Sequence, residues 1–264
     1  MRQGLPAGLQ AALDGLAARR PDLSFDVRWL DAVPSTMDVV AQAAASGVAA
    51  GYVVVADQQT AGRGRRGRTW CSPPGAGLYF SYLARPTRHL ELVTLAAGVG
   101  VLGGIVAATG FRPQLKWPND LLVGPRKLAG LLAEGAHLGS AEAAVTIGVG
   151  LNVEPAAYPP EVAQRATSLR DELGRAVSRD ELLAAVLEQL ADVLNRLEAG
   201  DVDGILQAWR AASPSAVGTL VSWADAGPEH SGVTEGIDDS GALLVRTPSG
   251  LERVIAGELV WHLR

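Results

Sequence analysis

The sequence predicts an α+β domain over residues 1–213 followed by a small antiparallel β-barrel over residues 214–264. Three observations carry this division. Stretches of helical apolar period are interspersed with short β-branched runs as far as Ala211, in no regular βαβ rhythm. Beyond Ser213-Pro214-Ser215 only short strands remain, joined at turn residues. The 264 residues are 48% apolar and 19% charged, enough to bury a substantial core.

Taken in order, Leu9 to Arg19 reads as a helix and Phe25 to Leu30 as an alternating strand. Met37 to Ser46 is helical, with Gly47 placed as its C-cap and Ser35 or Thr36 as its N-cap. Those two hydroxyls equally suit a polar ligand head presented at a helix start. Tyr52 to Ala56 and Gly77 to Ala84 are buried strands, and Leu90 to Thr109 is a long apolar helix. Gln114 to Leu122 and Arg126 to Glu134 are strands interrupted at Pro118-Asn119-Asp120 and Gly124-Pro125. Ala143 to Val153 is a strand whose Gly148 and Gly150 imply that something packs on its backbone. Arg179 to Leu197 and Val202 to Ala211 are helices. The C-terminal strands are Thr219 to Trp223, Ser231 to Ile237, Ala242 to Thr247 and Leu251 to Ile255. There are no internal repeats or low-complexity segments.

Composition narrows the function classes. Cys71 is the single cysteine, which excludes an internal disulfide framework and fits a reducing compartment. His89, His137, His230 and His262 have no ligand spacing, so no protein-built zinc site is expected. The N-terminus lacks a signal-peptide pattern. Leu92 to Phe111 carries no charge, but its glycines and alanines make it weakly hydrophobic, and a buried core helix is expected rather than a membrane span. A cytoplasmic protein with no membrane partner follows.

The stretch from Asp57 to Trp70 holds the chemistry. Gly62-Arg63-Gly64-Arg65-Arg66-Gly67-Arg68 places three glycines and four arginines in a row after a β-branched strand. Glycines bring backbone N–H groups close to a ligand, and guanidinium forks suit phosphate or carboxylate oxygens. An anion-binding catalytic loop, a nucleic-acid patch and a solvated basic loop all fit the stretch itself. The net charge of −5 becomes −9 without these four arginines, which favours a local anion site over a nucleic-acid surface. The loop also matches G-x-G-x-x-G, yet Pro73, Pro74 and Gly75 prevent the helix a dinucleotide site needs. With no apolar side chains and four like charges, the loop is expected to order only around ligand.

Of 23 basic residues only two are lysines, Lys116 and Lys127, both at the edge of the punctuated strand pair. A lysine offers a compact, rotatable point charge where arginine offers a planar fork. A confined site where a carboxylate meets a phosphate uses that difference.

Together the arginine–glycine loop, Lys116-Trp117-Pro118-Asn119-Asp120, Arg126-Lys127-Leu128-Ala129-Gly130 and Gly150-Leu151-Asn152-Val153 resemble the biotin–protein ligases (biotin–acetyl-CoA-carboxylase ligases). The resemblance is dense from Trp29 to Leu173. It implies a mixed-sheet catalytic domain of the biotin/lipoate ligase, class II synthetase-like type, with an SH3-like C-terminal barrel. Too few residues precede Ser35-Thr36 for the winged helix of bifunctional members, so a monofunctional ligase is expected. The implied reaction makes biotinyl-5′-AMP from biotin and ATP with Mg²⁺. Biotin then passes to a lysine of a biotin carboxyl carrier domain of acyl-CoA carboxylases.

By the same resemblance Lys127 holds the biotin carboxylate and the α-phosphate, while Arg65 and Arg68 neutralise the phosphates that Mg²⁺ bridges, with no dedicated protein cage for the ion. Ser35, Thr36 and Gln59 surround the ureido ring, Gly62, Arg63 and Gly64 close over it, and Gly130 lies under the tail. Asn152 reads adenine, Asn119 assists the metal-bound phosphates, and Asp120 meets the carrier lysine. Trp70 and Trp117 wall the pocket or are ordinary core. Met37 stands where the family often has Asn. No nucleic acid is expected as partner, and a monomer or weak homodimer is the expected state. The rival readings are a lipoate or octanoate ligase or transferase of the same fold, and a biotin- or nucleotide-binding sensor without turnover.

Overall fold

The computed structural model describes residues 4–140, 142–224, 229–255 and 259–262. Helix α1 (Ala7–Arg19) leads into strand β1 (Asp26–Val33), helix α2 (Thr36–Ala45) and strands β2 (Tyr52–Gln59) and β3 (Gly77–Ala84). The long helix α3 (Val93–Thr109) precedes β4 (Gln114–Lys116), β5 (Asp120–Val123), β6 (Arg126–Ala136) and β7 (Ala144–Asn152). Two short helices follow, α4 (Pro160–Ala163) and α5 (Leu169–Leu173), then α6 (Arg179–Glu198) and α7 (Val202–Ala212). The remaining strands are β8 (Val217–Ala224), β9 (Glu229–Ile237), β10 (Leu243–Thr247), β11 (Gly250–Val254) and β12 (Val260–Trp261).

Two sheets result, as the α+β expectation required. The first is mixed, in the order β1-β2-β3-β7-β6-β5-β4, with β1 and β2 parallel and the other pairs antiparallel. The second is antiparallel, in the order β11-β10-β9-β8-β12. The predicted strand over 114–122 is a β4–β5 hairpin around the cis Trp117–Pro118 bond. Neither α4, α5 nor β12 was expected. The helices are too short to show a period, α4 opens on Pro159-Pro160, and β12 has two residues.

Alternation along β7 sorts its side chains. Val145, Ile147, Val149 and Leu151 face the main core with α3, α6 and α7, while Gly148 and Gly150 face the other side. On that other side α2 packs on β2, β3 and β7 around Val40, Val54 and Leu83. The result is one helix on one face and a helical layer on the other. Leu90–Thr109 is long and apolar enough to cross a membrane, but most of it is buried against the neighbouring helices and sheet. Its glycines explain the composition. A Cβ on Gly100 would stand 2.8 Å from the Leu190 Cα, and one on Gly104 would run into the Val186 backbone.

The second sheet is tied to this body through Trp117, fully enclosed, whose indole N–H donates to the Gly241 carbonyl at 2.9 Å. Arg210 of α7 donates to the Ile237 carbonyl at 3.1 Å.

The α3–α6 contact yields a paired expectation. Gly104→Ala should lower unfolding free energy by about 1–3 kcal/mol, because the Val186 backbone, which cannot turn aside, blocks the added methyl. Gly103→Ala meets only the flexible Gln189 side chain. It should be neutral or stabilise by up to about 1 kcal/mol through helix propensity. Urea denaturation of both variants reads the difference.

Candidate active site

A cavity of about 200 Å³ opens on the α2 face of the mixed sheet. Helix α2 covers the β2-β3-β7 part of that face, and the 62–70 loop roofs the adjoining part over β6 and β7. The floor is bare by construction. Gly130 of β6 stands opposite Gly150 of β7, and the Trp70 indole occupies the space where their side chains would be. A Cβ on Gly130 would lie 3.0 Å from the Trp70 ring and from the Lys127 ammonium. Gly148 is likewise filled, by the Met37 thioether, and a Cβ there would lie 2.7 Å from its sulfur. The expectation that something packs on Gly148 and Gly150 is met by these two side chains.

At the α2 end the polar groups are already engaged, with one exception. The Thr36 hydroxyl lies 2.8 Å from the Ser81 hydroxyl and donates to Gln59 Oε1 at 3.1 Å. Gln59 Oε1 also accepts the Thr36 backbone N–H at 2.9 Å, and its Nε2 donates to Ser72 at 2.9 Å. A strand side chain therefore caps α2. Ser35 occupies the N-cap position without making the cap bond. Its hydroxyl is buried, borders the cavity and has no hydrogen-bond partner. An orphan of this kind costs about 1–3 kcal/mol unless a ligand satisfies it.

The arginine loop is a small hairpin. Arg63 bridges Thr69, the Trp70 N–H donates to the Gly62 carbonyl at 2.8 Å, and the Gly64 N–H donates to the Arg68 carbonyl at 2.7 Å. Its tip turns through the left-handed region at Arg66 (φ 56°) and Gly67 (φ 72°). Arg63 pairs with Asp38 of α2 and Glu134 of β6, each at 3.0 Å. Those carboxylates offset part of the like-charge repulsion within the loop. Arg65 and Arg68 border the cavity. Burial first, and the neighbouring Arg66 second, hold the Arg65 pKa below that of a free guanidinium, with Asp120 acting against them. Arg65 reaches Asn119 Oδ1 at 3.5 Å.

The cationic end is built on one carboxylate. Lys127 Nζ lies 2.6 Å from Asp120 Oδ1 and Lys116 Nζ lies 3.3 Å from Asp120 Oδ2. Each ammonium also lies over an indole, Lys127 at 5.3 Å from the Trp70 ring centre and Lys116 at 5.9 Å from that of Trp261. Asn119 is held by reciprocal bonds to Leu131, its Nδ2 donating at 2.5 Å and its carbonyl accepting at 2.9 Å.

Of the residues singled out from sequence, Ser35, Thr36, Gln59, Arg63, Gly64 and Arg65 line this cavity, as do Arg68, Trp70, Asn119, Asp120, Lys127 and Gly130. Trp117 both lines it and belongs to the core. Gly62 lies at the hairpin base instead, where a Cβ would meet the Trp70 carbonyl at 2.5 Å. Asn152 does not line the cavity. Its amide donates to the Thr167 carbonyl at 2.9 Å, and its Oδ1 accepts from Tyr158 at 3.1 Å. Burial raises the Tyr158 hydroxyl to about 12, so it stays a donor. Sequence reasoning missed Leu259 and Trp261, which join the cavity from the end of the chain. No local signal marks a two-residue strand as part of a distant site.

The biotin/lipoate A/B protein ligase family matches residues 29–152, and the biotin protein ligase C terminal domain matches residues 225–260. A biotin–[acetyl-CoA-carboxylase] ligase from Mycobacterium tuberculosis is 37% identical over 259 residues, spanning 90% of each chain. Its counterpart from Paracoccus denitrificans is 34% identical over 81% of this chain and 92% of its own. The biotin protein ligase of Aquifex aeolicus, solved in complex with biotin and ATP, superposes with a TM-score of 0.78 at 30% identity. It covers 90% of this chain and 99% of its own.

The two carboxylates on Arg63 act as a latch for the hairpin. Both pairs are partly solvent-exposed, so Arg63→Ala should speed amide exchange across residues 62–69 by about three- to fivefold, corresponding to under about 1 kcal/mol. Hydrogen exchange read by mass spectrometry, with unchanged exchange in α6 as the control, checks it.

Proposed function

The chain belongs to the biotin/lipoate A/B protein ligase family, and from that premise we propose an ATP-dependent ligase that activates biotin as biotinyl-5′-AMP and transfers it to a carrier lysine. One observation carries the reading. A single cavity has the unpaired Ser35 hydroxyl in its wall, the Trp70 indole on a side-chain-free floor, and the Lys127 ammonium with Arg65 among its lining cations. Biotin has the matching order of parts, with a polar ureido head, an apolar tail and a carboxylate.

In the first half-reaction a biotin carboxylate oxygen attacks the α-phosphorus, and the bond to pyrophosphate breaks. Two anions must approach, so the protein contributes position and countercharge. Lys127 is assigned to hold carboxylate and α-phosphate together, with Arg65 and Arg68 on the phosphates. Mg²⁺ bound with ATP would neutralise phosphate charge, and the Asn119 amide oxygen supplies a hard donor suited to it. Ser35, Thr36 and Gln59 take the ureido head beneath Gly62, Arg63 and Gly64, with the tail along Gly130 and Trp70. Asn152 is the adenine-side residue, whose Oδ1 accepts from Tyr158 and has a second lone pair to offer the base. In the second half-reaction the carrier lysine amine attacks the acyl carbon, an amide forms and AMP leaves. Asp120 is assigned to accept the proton that the amine gives up.

Residues 1–213 form the catalytic unit in this reading and residues 214–264 the appended one. The acceptor is a biotin carboxyl carrier domain of acyl-CoA carboxylases, in the cytoplasm, and the ligase is a monomer or weak homodimer working without nucleic acid or membrane.

Incubation with biotin, ATP, Mg²⁺ and an apo carrier domain should add one biotin to the carrier by mass. Lys127→Ala should lower biotin-dependent pyrophosphate exchange by at least about a hundredfold, the scale of losing a charge-stabilising donor. Lys127→Arg should fail largely too, since a planar fork does not occupy the same point. Exchange retained by folded Lys127→Ala overturns the assignment.

A further inference from the structure

The chain's two lysines grip the same carboxylate from opposite oxygens, and that arrangement poses a charge problem. The Asp120 side chain is only 14% exposed, while Lys127, its nearer partner at 2.6 Å, is 36% exposed and faces the cavity. If Lys127 serves two incoming anions, its charge must turn from Asp120 to them. A carboxylate at that depth left without a counter-ion is strongly disfavoured, and it would hold Lys127 back.

We propose that Lys116 is a positioning residue that keeps Asp120 paired and thereby frees Lys127 for the substrates; this rests on the ligase reading above. Lys116 lies on the second Asp120 oxygen, so the carboxylate stays compensated when Lys127 swings away. Its own ammonium overlies the Trp261 ring at 5.9 Å, within the range of a cation–π contact, so it has a second partner besides Asp120. The C-terminal strand β12 thus seats the spare counter-ion. Lys116 touches no reacting atom in this account, and its effect runs through Asp120.

The test is a double-mutant cycle on biotin-dependent pyrophosphate exchange. Asp120 acts in the second half-reaction, so exchange remains readable in Asp120→Asn, where the trap for Lys127 is gone. Lys116→Met should slow exchange at least about tenfold when Asp120 is present and by less than about twofold in the Asp120→Asn background, a coupling of the size that contacting charged residues show. Should Lys116→Met not fold, Lys116→Gln makes the same comparison. An equal loss in both backgrounds would mean that Lys116 holds substrate directly, and would overturn the proposal alone. Unslowed exchange in Lys116→Met would do the same. Absence of exchange in the unsubstituted protein would overturn the ligase reading together with it.

Discussion

Gly130 and Gly150 face each other across the β6–β7 ladder, and the missing pair of side chains determines what else the site contains. Antiparallel pairing places directly opposed residues on the same face. Two opposed glycines therefore leave a flat patch of backbone wide enough for an indole. Trp70 lies on that patch, and its position fixes the return of the arginine hairpin, whose Trp70 N–H closes onto Gly62. The same indole lies beneath the Lys127 ammonium. Floor, roof and central charge thus share one geometric origin. A methyl at position 150 would displace Trp70 and unseat the other two.

The electrostatics follow a second rule, that cations here are held by internal carboxylates until something displaces them. Arg63 has Asp38 and Glu134, and the lysines share Asp120. Arg65 differs, because its hydrogen-bond partner is the neutral Asn119 amide oxygen. Half-buried beside Arg66, it is the cation whose charge the surroundings disfavour most clearly. An anion placed beside it would relieve that penalty. A protein of net charge −5 keeps a cation-lined cavity here because the local field is set by the nearest groups.

Much of this was legible from the sequence. Helical period and β-branched runs placed the long helices and the buried strands, since those signals are local. The arginine–glycine loop and the lone pair of lysines stood out by composition, and the cavity brings them together. What was not legible depends on contacts distant in the chain. Ser35 reads as a cap, yet Gln59 does the capping and leaves the Ser35 hydroxyl free for the cavity. Trp261 reads as the tail of a barrel, yet it faces Lys116. The loop's repulsion was visible, but Asp38 and Glu134 were not, because one lies on α2 and the other on β6. Sequence shows which groups are charged and not which partners the fold supplies.

Asn152 illustrates how one residue can serve a site from outside it. Its Nδ2 donates to the Thr167 carbonyl, and the Thr167 N–H in turn donates to the Lys127 carbonyl at 3.0 Å. The Arg165 carbonyl accepts the Lys127 N–H at 2.7 Å, so the 165–167 segment pins both backbone groups of Lys127. Asn152 therefore anchors the segment that anchors the central lysine, whatever its Oδ1 meets. Tyr158 completes the anchor by donating its hydroxyl to that oxygen. An amide oxygen has two lone pairs and its nitrogen two donor hydrogens. Tyr158 takes one lone pair of Oδ1, so the other stays open to a further donor with the Thr167 bond left in place. One side chain thus holds the 165–167 segment through its nitrogen and Tyr158 through its oxygen.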